Sequence, residues 1–322
     1  MLINFFLFFA IFMVVELLYF GIAKRFEIVD KPNNRSSHEA ITIRGGGIIF
    51  PIACIAILFF IPNKGHWLFA GSLLLIAVIS FIDDMLNLSS RIRLLVQAIA
   101  IIVMFSVIID TQAWYLLVLL FIMVLGIINA YNFMDGINGI TALYSLVTIG
   151  SLFYVNSFLL ELHSSLFFIA ILAALAVFSF FNLRRKAVCF AGDVGSVSIA
   201  FIICFLLFDL IFRTDWYYWL FFLGVYGMDT CFTIVCRLIR KEKITVAHRS
   251  HFYQYLANEA SWSHLSVSCL YAGGQAVINL FIINAFKTGN VEILQLVLFA
   301  ILLIYIIFRV RLEGTIRLFA KY

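Results

Sequence analysis

Residues 114–157 read WYLLVLLFIMVLGIINAYNFMDGINGITALYSLVTIGSLFYVNS: one apolar run, a short cluster of Asn, Asp and Gly, and a second apolar run. A helix that crosses a bilayer needs roughly 20 apolar residues. Residues 114–131 and 139–157 each nearly supply that length. Backbone polar groups in hydrocarbon are satisfied only inside a helix or a closed barrel, so the two runs predict two spanning helices. The cluster from Asn129 to Gly139 predicts an unwound or sharply turned backbone, tolerated at membrane depth where it lines an enclosed or wet cavity.

The same pattern recurs on both sides. Apolar runs near 2–23, 45–62, 66–82, 94–110, 164–182, 197–213, 216–236, 265–286 and 291–309 bring the expected total to ten or eleven spans. The expected fold is an all-α polytopic bundle, one integral membrane domain over residues 1–322. Composition agrees, at 64% hydrophobic and 12% charged residues with a mean hydropathy of +1.09, far from soluble domains. The first run lacks a basic leader and a small-residue cleavage site, and reads as a retained helix. The six cysteines form no CxxC pair, which indicates neither a disulfide framework nor zinc.

Basic residues are divided unequally between the connections. Nineteen of the 22 Lys and Arg fall on one side, leaving Lys64, Arg213 and Lys287 for the other. The positive-inside rule makes the rich face cytoplasmic and puts the N-terminus outside. The net charge of +5 is then explained by topology and anionic lipid, with no nucleic-acid partner.

Four segments on the charge-rich face carry chemistry. Asp83-Asp84 ends the third span, and adjacent carboxylates repel unless a divalent cation or a basic side chain compensates them. A salt bridge to Arg91 or Arg93 is the structural alternative. Asn129, Asn132, Asp135 and Asn138 gather amides and an acid in one turn. Phe190-Ala-Gly-Asp193-Val-Gly-Ser196 leads into a helix, where Asp193 could hold a metal or complement the helix dipole, with Ser196 as the cap. His248-Arg249-Ser250-His251 offers several donors to a pyrophosphate and lacks the HExxH or Cys partners of a zinc site. Carboxylates for Mg²⁺ and cations for phosphates on one face match phosphoryl transfer. A secondary transporter is the rival, with Glu16, Asp209 and Asp229 as its intramembrane acids.

In chain order these segments resemble the polyprenyl-phosphate N-acetylhexosamine-1-phosphate transferases, which include the phospho-MurNAc-pentapeptide translocase and the O-antigen initiating enzymes. The likeness covers Asp30 to His38, Arg44 to Gly47, Asp83-Asp84 with Arg93 to Gln97, Asn129 to Gly139, Phe190 to Ser196, Asp229, and His248 to His251. It implies transfer of a sugar 1-phosphate from a UDP-N-acetylhexosamine to undecaprenyl phosphate in the bacterial inner membrane, with Mg²⁺ or, alternatively, Mn²⁺. It implies that Asp193 ligates the metal, with Asp83 or Asp84 as a second ligand or as the group that deprotonates the lipid phosphate. Asp135 is the alternative catalytic carboxylate, base or nucleophile.

Asn129, Asn132 and Asp135 would then line the cleft, His248, Arg249 and His251 would contact the donor pyrophosphate, and Phe190 would stack on uracil. Arg44, Lys31 and Arg35 would border the site, and a homodimer is one candidate assembly that the sequence does not decide. Two departures stand out: Asn138 replaces a frequent second aspartate, and Ile41 and Ile43 replace frequent prolines. An amide at 138 can still hydrogen-bond uracil. The His-Arg-Ser-His form is more similar to lipopolysaccharide-initiating enzymes than to the peptidoglycan translocase, which remains the second reading.

Overall fold

The computed structural model describes residues 1–30, 41–61, 64–86, 88–108, 114–243 and 248–320. Lys31 and Arg35, expected at the rim of the site, lie outside the described residues. The chain folds into thirteen helices and one two-residue strand pair among the described residues. In order they are α1 (Leu2–Arg25), β1 (Val29–Asp30), β2 (Thr42–Ile43), α2 (Ile49–Phe60), α3 (Lys64–Leu86), α4 (Ser90–Ile108), α5 (Trp114–Met134), α6 (Ile140–Val155) and α7 (Ser165–Asn182). Then come α8 (Gly192–Thr214), α9 (Gly224–Ile239), α10 (Phe252–Asn258), α11 (His264–Thr288), α12 (Val291–Glu313) and α13 (Thr315–Phe319).

Ten of these segments are long and apolar enough to cross a membrane, and the chain is a multi-pass membrane protein. The eleventh expected span is shorter, a 3-10 turn at Gly46–Ile48 continued by α2. It nevertheless runs from face to face. Its start lies against the Asp84 end of α3, while Leu58 and Ile61 line a cavity of about 220 Å³ with His66, His163, Asp209 and Arg213 at the opposite end. In that cavity Asp209 is paired with His163 at 2.9 Å and Arg213 at 2.8 Å, so this intramembrane acid is fixed in an ion-pair cluster.

Helix α8 is the hub. Between Val197 and Ile211 only Ser198 and Asp209 are polar, so the helix is apolar on every side, the pattern of a helix enclosed by others. Every residue from Val194 to Ile211 is buried. By contrast α12 buries fully only Leu294 and Arg309 and leaves most of its apolar side chains exposed, as a lipid-facing helix does. At the start of α8, Gly195 packs directly on Gly47, the close backbone approach that small residues permit between membrane helices.

Three features differ from the sequence expectation. Helix α5 stays helical through Met134, placing Asn129 and Asn132 on a regular helix and confining the turn to Asp135–Gly139. The apolar contacts of Val124, Ile128 and Tyr131 with the core outweigh the Asn-rich signal there. Helix α8 begins at Gly192, about a turn earlier than the hydropathy boundary, because a neighbouring helix supplies its cap. The pairing of Val29 with Ile43 and of Asp30 with Thr42, extended by a bridge from Ile43 to Cys189, was not legible in segments so short.

Candidate active site

The four chemistry-bearing segments meet at one end of the bundle. The first four N–H groups of a helix lack intrahelical partners. In α8 those of Asp193 and Val194 donate to Asp84 Oδ1 at 2.9 Å and Oδ2 at 3.0 Å. Asp84 is therefore the N-cap of α8, supplied from α3 rather than by Ser196 as local reading suggested. Ser196 instead donates to the Gly192 carbonyl at 3.0 Å and accepts from Asn132 Nδ2 at 3.0 Å. Gly192 adopts φ +70°, and a Cβ there would come within 2.6 Å of Asp84 Oδ2, so the capping geometry requires glycine.

Two guanidinium groups face three carboxylates. Arg44 Nε lies 2.7 Å from Asp84 Oδ1, and its Nη2 lies 3.6 Å from Asp193 Oδ1. Arg93 Nη1 bridges Asp83 Oδ2 at 2.9 Å and Asp193 Oδ2 at 3.4 Å. Asp83 also accepts the Leu88 N–H at 2.6 Å. The side chains of Asp84 and Asp83 are 0% and 7% exposed, against 19% for Asp193. Asp193 is thus the carboxylate with the loosest protein contacts and the most open surface, and it faces a cleft lined by Arg93, Gln97, Asn129 and Asn132.

Among the described residues no three His, Cys, Asp or Glu side chains close into a metal cage. The oxygen donors do fit Mg²⁺, which commonly takes one or two carboxylates and completes its shell with water and substrate phosphates. Asp193, with Asp83 sharing Arg93, would hold it.

Asp135 sits in the turn after α5 and accepts from Thr141 Oγ1 at 2.6 Å. Burial pushes its carboxyl up to about 6, the Thr141 hydrogen bond opposes the rise, and the Asp84 charge adds to it. Asn138 is placed differently. Its Nδ2 donates to the Arg184 carbonyl at 3.0 Å and its backbone carbonyl accepts from Ser268 Oγ at 2.9 Å, so the side-chain amide ties the turn to the α7–α8 connection and the main chain ties it to α11. Phe190 is half-buried. Its backbone bonds to Ile43 and Gly46, which fixes this residue, three before Asp193, beside the turn that follows Arg44.

The two histidines differ. His248 is half-buried, and its Nδ1 accepts the Ser250 N–H at 3.3 Å, leaving Nε2 to carry the proton. Burial lowers it to about 4, with His251 and Arg237 adding to the effect, so at neutral pH it is an uncharged donor rather than a cation. His251 is 2% exposed and stacks on His248 with ring centroids 5.0 Å apart. Its Nδ1 lies 3.3 Å from Asp229 Oδ1. Arg249, between them, lies close enough to Tyr253 for its charge to act on the phenol.

From the sequence, Arg93 was a position of the family likeness and a salt-bridge alternative for Asp83-Asp84, and Asp229 was a position of the likeness and an intramembrane acid of the transporter reading; neither had a catalytic role. Arg309, which also pairs with Asp229, was only one of the nineteen basic residues of the charge-rich face. For Arg93 the spacing of ten residues from Asp83 was the available signal; for Arg309 there was none.

Residues 66–211 match the family profile described as glycosyl transferase family 4. That stretch includes the Asp83-Asp84 pair, the Asn129–Gly139 segment and Asp193. The chain is 27% identical to the Bacillus subtilis protein named "Probable undecaprenyl-phosphate N-acetylglucosaminyl 1-phosphate transferase", over 95% of this chain and 91% of that one. It is 28% identical to the Escherichia coli K12 undecaprenyl-phosphate alpha-N-acetylglucosaminyl 1-phosphate transferase, over 65% of this chain and 61% of that enzyme. The Yersinia pestis enzyme of the same name is 29% identical over 56% and 54%. Over residues 66–211 the chain is thus similar to glycosyl transferase family 4, and nearly end to end it is similar to the Bacillus subtilis protein named as a probable undecaprenyl-phosphate N-acetylglucosaminyl 1-phosphate transferase.

Proposed function

We propose that the protein transfers an N-acetylhexosamine 1-phosphate from its UDP-sugar to undecaprenyl phosphate, releasing UMP, at the cytoplasmic face of a bacterial inner membrane. The observation that carries this is the meeting of Asp83, Asp84 and Asp193 with Arg44 and Arg93 at the charge-rich end of the bundle. The relatives' names favour N-acetylglucosamine as the sugar. The product would be the lipid-linked first sugar of a cell-envelope glycan such as O-antigen.

The reaction is written as one displacement. An oxygen of the lipid phosphate attacks the donor's β-phosphorus, and the bond from that phosphorus to the oxygen bridging the α-phosphorus breaks. Mg²⁺, when bound, would neutralise the phosphate oxygens as charge shifts to the leaving UMP. Arg44 and Arg93, already aimed at the carboxylates, share that task by lowering the repulsion between two anions. Asp84 holds the start of α8 and so sets the direction of Asp193. His248 offers a neutral N–H to the pyrophosphate.

Asp135 takes the proton of a singly protonated lipid phosphate; a phosphate monoester has its second pKa near 6, so a carboxyl tuned to about 6 is matched to it. Asp135 accepts a proton only when ionised, so kcat/KM is expected to fall as pH drops through about 6. The lipid contributes a limb of its own. Profiles from pH 5 to 8 for the wild type and Asp135→Asn separate the two, because only the lipid's limb survives the substitution. Identical profiles would exclude Asp135 as the base.

The direct test is UMP release by purified protein with Mg²⁺ and undecaprenyl phosphate, offering UDP-GlcNAc and UDP-FucNAc separately. Lipid-dependent release with UDP-GlcNAc is the expected result. Release without lipid, or none with either donor, would refute the reading.

A further inference from the structure

Helix α12 leaves most of its apolar side chains exposed, yet it sends one fully buried guanidinium into the bundle. Arg309 is 1% exposed. Its Nη1 donates to Thr233 Oγ1 at 2.9 Å and Tyr305 OH at 2.8 Å and lies 3.3 Å from Asp229 Oδ1. Its Nη2 donates to the Ser250 carbonyl at 2.7 Å and its Nε to Glu313 at 2.6 Å. One side chain thus grips the carboxylate that orients His251 and the carbonyl of the residue just before it.

Asp229 gathers the rest of the segment. Its Oδ1 accepts the Phe252 N–H at 3.1 Å and faces His251 Nδ1, while its Oδ2 accepts the Tyr253 N–H at 3.4 Å and the Tyr271 hydroxyl at 2.5 Å. Engaging Nδ1 leaves His251 Nε2 buried with no protein partner among the described residues. A buried ring nitrogen without a partner demands a reason, and reservation for a ligand oxygen is one. Tyr253 continues the path by donating to the Phe133 carbonyl at 2.8 Å, two residues before Asp135.

We infer that Arg309 is a positioning residue for the transfer reaction: through Asp229 and the Ser250 carbonyl it holds His251 so that, with Nδ1–H on Asp229 and a second proton on Nε2, the Nε2–H donates to the UDP-sugar's phosphate oxygens. The inference rests on the function proposed above. A buried charge in a lipid-facing helix is costly and is kept where it has a partner and a task. A fork is required, because a lysine ammonium on its flexible stem cannot span Asp229 and the Ser250 carbonyl in fixed geometry.

The test is a double-mutant cycle on kcat, read as UMP release per folded molecule, with Arg309→Lys, His251→Ala and both together. Arg309→Lys is expected to lower kcat about 30-fold alone but no more than about 3-fold in the His251→Ala background, because residues that act through one another are not additive. An equal loss in both backgrounds means a merely structural role and overturns the inference, as does an unchanged kcat in Arg309→Lys. If Arg309→Lys does not fold, Tyr305→Phe, which removes one acceptor and keeps both charges, runs the same cycle with an expected loss of about 5-fold. A wild type with no lipid-dependent release would sink the transfer reading and this inference together; an active wild type with additive losses would sink this inference alone.

Discussion

Asp193→Asn abolishes UMP release, by roughly a thousand-fold, while the protein keeps or raises its thermal stability; that is the expected result. The argument begins with charge. Three carboxylates share two guanidinium groups at this end of the bundle, which leaves one negative charge in excess within a partly desolvated cluster. Asparagine is nearly isosteric, and its amide still reaches the position that Arg93 and Arg44 contact only at 3.4 and 3.6 Å. Fold is therefore preserved and repulsion with Asp83 and Asp84 is relieved.

The excess charge is what the reaction uses, since a neutral side chain can neither hold Mg²⁺ firmly nor direct it to phosphate oxygens. Rate and melting temperature, measured on the same preparation in detergent or nanodiscs, should move apart. A variant that keeps its activity would remove Asp193 from the metal assignment. One that loses stability along with activity would make it a structural residue.

Gly195→Ala is expected to cost at least about a hundred-fold in activity although it adds one methyl group far from any exposed surface. A Cβ at this position would stand 2.6 Å from Gly47 Cα and 2.9 Å from Ala191 Cβ. No rotamer relieves a contact with backbone, so either α8 or the turn before α2 must move by about 1 Å, at an overpacking cost of about 1–3 kcal/mol. Both pieces carry the site, because α8 bears Asp193 and the turn follows Arg44. Gly126→Ala in α5 is the control, with nothing within 4 Å of its Cβ. Alanine there should be neutral or stabilising by up to about 1 kcal/mol. Equal activity in the two variants would show that the glycine contact between α8 and the turn before α2 does not set the geometry.

The spans were legible because bilayer thickness forces a long apolar run for each crossing, and local composition reports such runs directly. Where the balance was closer, the reading missed. Val124, Ile128 and Tyr131 pack into the core and keep α5 helical past Asn129, against the turn signal of its Asn and Gly neighbours. The start of α8 moved for a related reason: Asp84, 109 residues away, caps it. A cap supplied from another helix leaves no local mark.

The candidate site divides along the same line. Asp83, Asp84, Asp135, Asp193, His248 and His251 were identifiable because charged and amide residues are costly in a chain this apolar and so mark themselves wherever they occur. Their residue types, their spacing and the imbalance of Lys and Arg between the connections were enough to gather them on one face and to name a phosphate-directed chemistry.

What each one does was decided by tertiary structure. The fold turned Asp84 into the cap of α8, left Asp193 the most open of the three carboxylates, and separated a half-buried neutral His248 from a buried His251 held by Asp229. It also brought Arg309 from a lipid-facing helix to the Ser250 carbonyl. Residue type and local spacing set what a side chain can do chemically, whereas burial and the partners that share its hydrogen bonds set which of those capacities remains free, and both depend on segments distant in the chain.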